Sequence, residues 1–181
     1  MRNAEGAEIE DHLELGQGME RACGAGGGSR RRGTAAPGDT APTLEFAFEE
    51  IVTLGPPENI GTTGHGGRTI IPITGGSFSG PNIRGKVVPG GWDWQLHRSD
   101  GCTELEADYM LRAEDGTVIN VVNRGVACPP EAGVPPLRTM AVFEAPTGKH
   151  DWLSKSAFVG VLVPHQSPDG AAVKIRFFRV R

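Results

Sequence analysis

The stretch that most constrains this chain runs from Pro72 to Trp94, PITGGSFSGPNIRGKVVPGGWDW. Three glycine punctuations, Gly75-Gly76, Gly80-Pro81 and Pro89-Gly90-Gly91, divide it into short runs in which Phe78, Ile83, Val87 and Val88 sit among polar residues. Glycine reaches backbone angles closed to residues with a Cβ, so corners of this kind let a sheet bulge, turn sharply and curl back on itself. The spacing is that of strands and corners, and long helices are not expected. The stretch ends in Trp92, Asp93 and Trp94, a carboxylate between two indoles, followed closely by His97, Arg98 and Asp100.

The remaining chain keeps the same grammar. Leu44, Phe46 and Phe48 read as one face against Glu45, Ala47 and Glu49, a first strand that continues with a bulge through Ile51 to Leu54. Glu58 to Gly67 reads as a turn-rich loop carrying His65, and Arg68 to Thr74 as the second strand. Glu104 to Arg112 alternates Leu105, Ala107, Tyr109 and Leu111 against charged residues and Met110, and Asp115-Gly116 turns it into Thr117 to Asn123. Arg138 to Ala145, Phe158 to Val163 and Ala172 to Val180 add further strands, with one short helical turn expected over His150 to Ser154. The expected class is all-β, with about 8–10 antiparallel strands. A sandwich and a barrel both satisfy that count, and the glycine corners favour the barrel.

Residues 1–42 differ in kind. The run GAGGGSRRRGTAAPGDTAP has almost no large apolar side chain whose burial could offset the entropy of ordering. They are expected to form a disordered or weakly ordered extension ahead of a single domain over residues 43–181.

Charge and cysteine usage exclude several classes. With 18 Lys and Arg against 22 Asp and Glu, a net charge of −4, no basic field exists to hold a phosphate backbone, and nucleic acid is not an expected partner. No apolar run reaches the roughly 18 residues needed to cross a bilayer, and the acidic N-terminus lacks the apolar core of a secretory signal, so no membrane partner is expected. Three cysteines with no CxxC pair argue against a disulfide framework and a zinc site, which points to a reducing cytoplasm. A single Cys102–Cys128 bridge stays open, since the fold decides its geometry.

The chemistry-bearing residues narrow the field further. Gly76-Ser77-Phe78-Ser79-Gly80 superficially matches a nucleophile elbow but leads from strand to strand, and GTTGHGG precedes no helix that could hold a phosphate. The five histidines stand singly, so no metal and no cofactor is expected; a site assembled from His65, His97 and Asp93 is the metal alternative. Acid–base chemistry remains. Asp93, desolvated by its flanking indoles, would have a raised pKa suited to proton transfer, helped or replaced by His97 or Tyr109. Tyr109, the only tyrosine, shares a face with Leu105, Ala107 and Leu111, so it is expected to be buried with a partner for its hydroxyl. Arg68, Arg98, Asn123 and Arg124 can donate to a carbonyl or enolate oxygen, and Trp92, Trp94 and Trp152 offer rings for stacking. Each also has a plain structural role available: Asp93 as a corner cap, the arginines in cross-strand ion pairs, Tyr109 and Trp152 in the core.

Taken in order, P-I-x-G-G-x-F-x-G-P from Pro72, G-x-V-x-P-G-G-x-D-W-Q from Gly85, R-x-D-G from Arg98, Y-x-L-x-x-x-D-G from Tyr109 and N-R-G from Asn123 form a pattern that resembles the DUF3237 family, also catalogued as UPF0311. The resemblance covers Leu44 to Arg181 and implies a compact antiparallel β-barrel of mostly unassigned role. Arg68, Asp93, Trp94, Arg98, Tyr109, Asn123 and Trp152 fall on positions the family pattern fills in the same way. Trp92 and Ser154 depart from it, where a small residue and Asn are usual.

Two functional readings follow. One is a cofactor-independent enzyme, an isomerase, cyclase or lyase acting on a small apolar carbonyl or aromatic, polyketide-like compound inside the barrel. The other is a non-catalytic barrel that carries or sequesters such a ligand by stacking it on Trp92, Trp94 and Trp152. A small molecule is the expected partner in both, and homo-oligomerisation is possible in either.

Overall fold

The computed structural model describes residues 40–129, 137–168 and 170–181. The expected disorder of residues 1–42 therefore falls almost wholly outside the described residues. Among the described residues nine strands run in chain order: β1 Leu44–Leu54, β2 Glu58–Thr63, β3 Gly66–Ser79, β4 Arg84–His97, β5 Thr103–Ala113, β6 Val118–Ala127, β7 Leu137–Glu144, β8 Phe158–Ser167 and β9 Gly170–Val180. Every pairing is antiparallel, and β1 pairs with both β9 and β3, so β1 and β3 to β9 close an eight-stranded barrel. Closure leaves those strands no free edge.

β2 corrects the expectation of a loop over Glu58 to Gly67: these residues form a hairpin with the start of β3, outside the closed ring, with His65 exposed at its tip. The sequence there is rich in Gly and Thr with little to bury, which is why it read as a loop. The helical turn expected over His150 to Ser154 is also corrected. Asp151 N–H donates to Gly148 C=O and Leu153 N–H to His150 C=O, isolated three-residue spacings that leave a run of turns and no helix among the described residues.

The glycine corners do what their spacing implies. The β3–β4 register breaks between Ile73 and Ser77, across Gly75-Gly76, and the β4–β5 register breaks between Val88 and Trp92, across Pro89-Gly90-Gly91. Gly76 has φ +134°, and a Cβ there would lie 2.0 Å from the Ile51 carbonyl oxygen of β1. Bare backbone thus meets bare backbone at the seam where β3 closes onto β1.

β1 itself shifts phase earlier than its sequence pattern implied. Phe46 pairs with Phe178 and Phe48 with the adjacent Phe177, so Ala47 is the inserted residue of a bulge. Phe46 consequently turns outward, edge-on to Phe178 and under the Arg176 guanidinium, while Phe48, Glu50 and Val52 point into the barrel. Leu44, Phe46 and Phe48 do not share a face.

One half of the barrel interior is solid. Phe48, Phe78, Phe143, Phe158 and Phe177 pack with ring centroids 4.9–5.7 Å apart, and Leu111, Ile119 and Leu153 are completely buried beside them. Each such side chain contributes on the order of 1.5–3 kcal/mol through burial. At the other end, Cys102 and Cys128 form a disulfide, the one bridge that the sequence leaves open. The ladder explains it: β5 and β6 pair as far as Thr103 with Ala127, and the next step brings Cys102 opposite Cys128. The preference for a reducing cytoplasm rested on unpaired cysteines and loses that support. Among the described residues no helix is long and apolar enough to cross a membrane.

Candidate functional site

The open half of the barrel is set by one cross-strand row. Asp93 of β4 pairs with Ala107 of β5, Ala107 with Asn123 of β6, and Asn123 with Ala141 of β7. Neighbouring strands lie about 4.8 Å apart, so the methyl of Ala107 leaves a gap between the Asp93 and Asn123 side chains. A cavity of about 140 Å³ occupies that space, walled by Ile71, Leu105, Leu162, Val173 and Ile175 and by the polar groups of Asp93, Gln95, Tyr109, Asn123 and Thr139. Thr139 is accommodated by bare backbone beside it: a Cβ on Gly160 would lie 2.1 Å from its Oγ1. An apolar cavity of roughly 150 Å³ holds a benzene-sized ring.

The polar groups of this wall are under-partnered. Gln95 Nε2 donates to Asp93 Oδ2 at 2.9 Å, while Asp93 Oδ1 is buried without a hydrogen-bond partner. Asn123 Oδ1 and Thr139 Oγ1 are likewise buried and unpartnered. Buried polar atoms normally find partners, so three together on one cavity wall mark a place where a polar ligand atom would be held. Burial raises the Asp93 pKa, and the Gln95 amide offsets part of that rise.

A second carboxyl lies behind the wall. Glu50 of β1 is completely buried, the Tyr109 hydroxyl donates to its Oε1, and its Oε2 has no partner. Burial pushes its pKa up to about 8, against a smaller lowering by the Tyr109 hydrogen bond. The Tyr109 hydroxyl is raised well above its ordinary value, first by burial and then by the charges of Glu50 and Asp93.

These shifts have a consequence for stability. Between the ordinary glutamate value of 4.5 and about 8, the unfolded chain has released a proton that folded Glu50 retains. The Glu50 contribution is therefore fully present below pH 4.5 and is lost as pH rises through about 8, at a slope of about 1.4 kcal/mol per pH unit. Asp93 adds a slope of the same sign, so the comparison that isolates Glu50 is wild type against Glu50→Gln. Urea midpoints at pH 5 and pH 8 are expected to show the variant gaining on wild type as pH rises.

Of the ten residues expected to build a site, the cavity gathers Asp93, Tyr109 and Asn123. Trp92 and Trp94 alternate with Asp93 along β4, so they point outward, 36% and 42% exposed. Asp93 is therefore desolvated by the barrel interior and not by the indoles, a correction that follows from the two-residue period of a strand. Arg68, Trp94 and Arg124 line an open groove of about 580 Å³ on the outer surface, where Arg124 Nε donates to Glu106 at 2.6 Å. Arg98 is exposed and paired with Asp100 at 2.5 Å and Glu104 at 3.2 Å. His97 sits at the exposed strand ends, its ring nitrogens 3.0 Å from the Thr69 hydroxyl and 3.1 Å from that of Thr103. Trp152 packs at the filled end, against Phe158 and under the Arg179 guanidinium.

Glu50, Gln95 and Thr139 are interior residues that sequence reasoning missed. A signal for Glu50 existed: it continues the alternation of Phe48, Val52 and Leu54, and placing the bulge at Ala47 would have turned it inward. Gln95 stands two residues from Asp93, and Thr139 two before Ala141, on the same faces.

The family profile described as "Protein of unknown function (DUF3237)" matches residues 42–180. A UPF0311 protein of Rhodopseudomonas palustris is 35% identical over 139 residues, 68% of this chain and 91% of the relative. A hydroalkoxylation enzyme of Penicillium herquei is 30% identical over 115 residues, 64% of this chain and 70% of that enzyme. Among solved structures, a beta-barrel like protein of Acinetobacter baumannii superposes with a TM-score of 0.71 at 28% identity, covering 82% of this chain and 100% of that one.

Proposed function

The chain belongs to the DUF3237 family, and on that premise we propose that the barrel interior is the active site of a cofactor-independent enzyme that adds a hydroxyl across an activated carbon–carbon double bond. The observation that carries this reading is Asp93 Oδ1, buried and unpartnered on the wall of a single-ring-sized apolar cavity. A carboxylate with a raised pKa in such a place is suited to accept a proton. The hydroalkoxylation activity named for the Penicillium relative is chemistry of this type.

The reaction class needs no redox partner. Asp93 takes the proton of a phenolic or alcoholic hydroxyl, the freed oxygen pair forms a C–O bond at the β-carbon of an enone, and the π pair moves toward the carbonyl oxygen. A proton then arrives at the α-carbon, so the product holds every atom of the hydroxyl compound and the enone, and is an isomer of the substrate where both groups belong to one molecule. Asn123 and Thr139, with unpartnered oxygens on the same wall, position the substrate's polar atoms. In the intramolecular case the enzyme is a cyclase.

The test is turnover of an ortho-hydroxyphenyl propenyl ketone, which closes to a methyl-substituted chromanone. The expected result is one enantiomer in excess, with a single deuterium at the α-carbon when the reaction runs in D₂O. Racemic product at the background rate would contradict the proposal. Recovery of unchanged ketone from the protein would favour carriage, although that reading has lost its stacking platform: Trp92, Trp94 and Trp152 all lie outside the cavity.

A further inference from the structure

The cavity is served by two carboxyl groups in different settings. Asp93 faces it directly, whereas Glu50 reaches it only through Tyr109, the residue whose hydroxyl it shares. Glu50 has as cross-strand partners Ile175 on β9 and Phe78 on β3, neither of which ionises. Besides each other, the titratable group of the described interior that acts on Glu50 and Tyr109 is Asp93, through its charge on Tyr109. An ionised Glu50 would thus place a second negative charge in a hollow that already holds Asp93, with no cation to balance it. Two carboxyls whose surroundings push them apart in this way divide naturally into an acid and a base.

Resting on the reading of this cavity as a reaction site, we propose that Glu50 stands as a neutral carboxylic acid and, through Tyr109, forms the proton-donating half of the site, which selects a neutral carbonyl substrate whose oxygen meets Tyr109 while its hydroxyl meets Asp93. An O–H···O contact between a carboxylic acid and a phenol can carry its proton from either side. With Glu50 O–H donating to the tyrosine oxygen, the Tyr109 O–H is free to donate to the substrate carbonyl.

The proton balance closes over one turnover. As the C–O bond forms and the π pair reaches the carbonyl oxygen, Tyr109 gives that oxygen its proton and takes the Glu50 proton. The resulting enol then accepts at its α-carbon the proton Asp93 removed from the hydroxyl, and the enol proton returns through Tyr109 to Glu50. Both carboxyls end as they began. Tyr109 is the catalytic residue of this half, and Glu50 acts through it as a positioning residue.

Infrared difference spectroscopy on the full chain tests the proposal without requiring turnover. At neutral pH wild type is expected to show the carbonyl band of a buried, protonated carboxylic acid, absent from Glu50→Gln and lost in wild type as pH rises through about 8. Acetophenone bound in the cavity is expected to show its C=O stretch shifted to lower frequency, with the shift lost in Tyr109→Phe. Absence of the acid band at neutral pH, or an acetophenone stretch identical in wild type and Tyr109→Phe, overturns the proposal. If both signatures appear while the ortho-hydroxyphenyl enone is not turned over, the donor pair stands and the addition reaction falls. If the enone is turned over and the signatures are missing, the reaction stands and the Glu50–Tyr109 role falls.

Discussion

Asp93→Asn is expected to lower kcat/KM on the ortho-hydroxyphenyl enone by about 10²- to 10⁴-fold, the range a positioned general base contributes. Asparagine keeps the shape of the side chain, and its amide oxygen can still accept from Gln95 Nε2, which in wild type donates to Asp93 Oδ2 at 2.9 Å. What is lost is the ability to take a proton at the unpartnered Oδ1. Stability is not expected to fall, because the substitution removes a carboxylate whose burial already disfavours its charged form. A loss of activity at unchanged or raised melting temperature therefore separates a chemical role from a structural one. In wild type the same group gives kcat/KM an acid limb: activity falls as pH drops below the raised Asp93 pKa and the base becomes protonated.

Gly76→Ala is expected to cost about 3–5 kcal/mol of folding stability, combining a strained backbone with an overlap between two backbones. Gly76 has φ +134°, and its added Cβ would lie 2.0 Å from Ile51 O and 3.0 Å from Ile51 C. Neither atom belongs to a flexible side chain, so relief requires β3 to move away from β1 at the seam that closes the barrel. Gly90→Ala is the matched control. Its φ of +108° is also left-handed, yet nothing lies within 4 Å of the added Cβ, so the expected loss is about 1–2 kcal/mol. Urea denaturation of both variants measures the difference. Equal losses would mean that close approach at the seam is not what Gly76 provides.

The barrel was legible in the sequence because its turns are written in residues with few alternatives. Asp115-Gly116 makes the β5–β6 hairpin, Gly75-Gly76 and Pro89-Gly90-Gly91 make the two register breaks, and Glu104 to Arg112 alternates as a strand with one wet face. The interior was less legible, for reasons of phase. Asp93 stands out in the sequence, but its flanking indoles face the other way, because adjacent strand residues point to opposite sides of a sheet. Glu50 was hidden by a bulge one turn of alternation earlier than supposed, and a glutamate among glutamates carries no mark of burial. The arginines misled because donors that could hold an oxyanion also make surface ion pairs, and Arg98 and Arg124 do so here. Cys102 and Cys128 could have been paired by extending the hairpin ladder one step past Thr103 and Ala127.

The most direct test of the account is a crystal structure with ortho-hydroxyacetophenone, a single-ring phenol bearing a carbonyl. The account predicts the ring inside the barrel, its hydroxyl within hydrogen-bonding distance of Asp93 Oδ1 and its carbonyl oxygen toward Tyr109. A ligand bound in the outer groove beside Arg68 and Trp94, with the interior closed to it, would contradict the account.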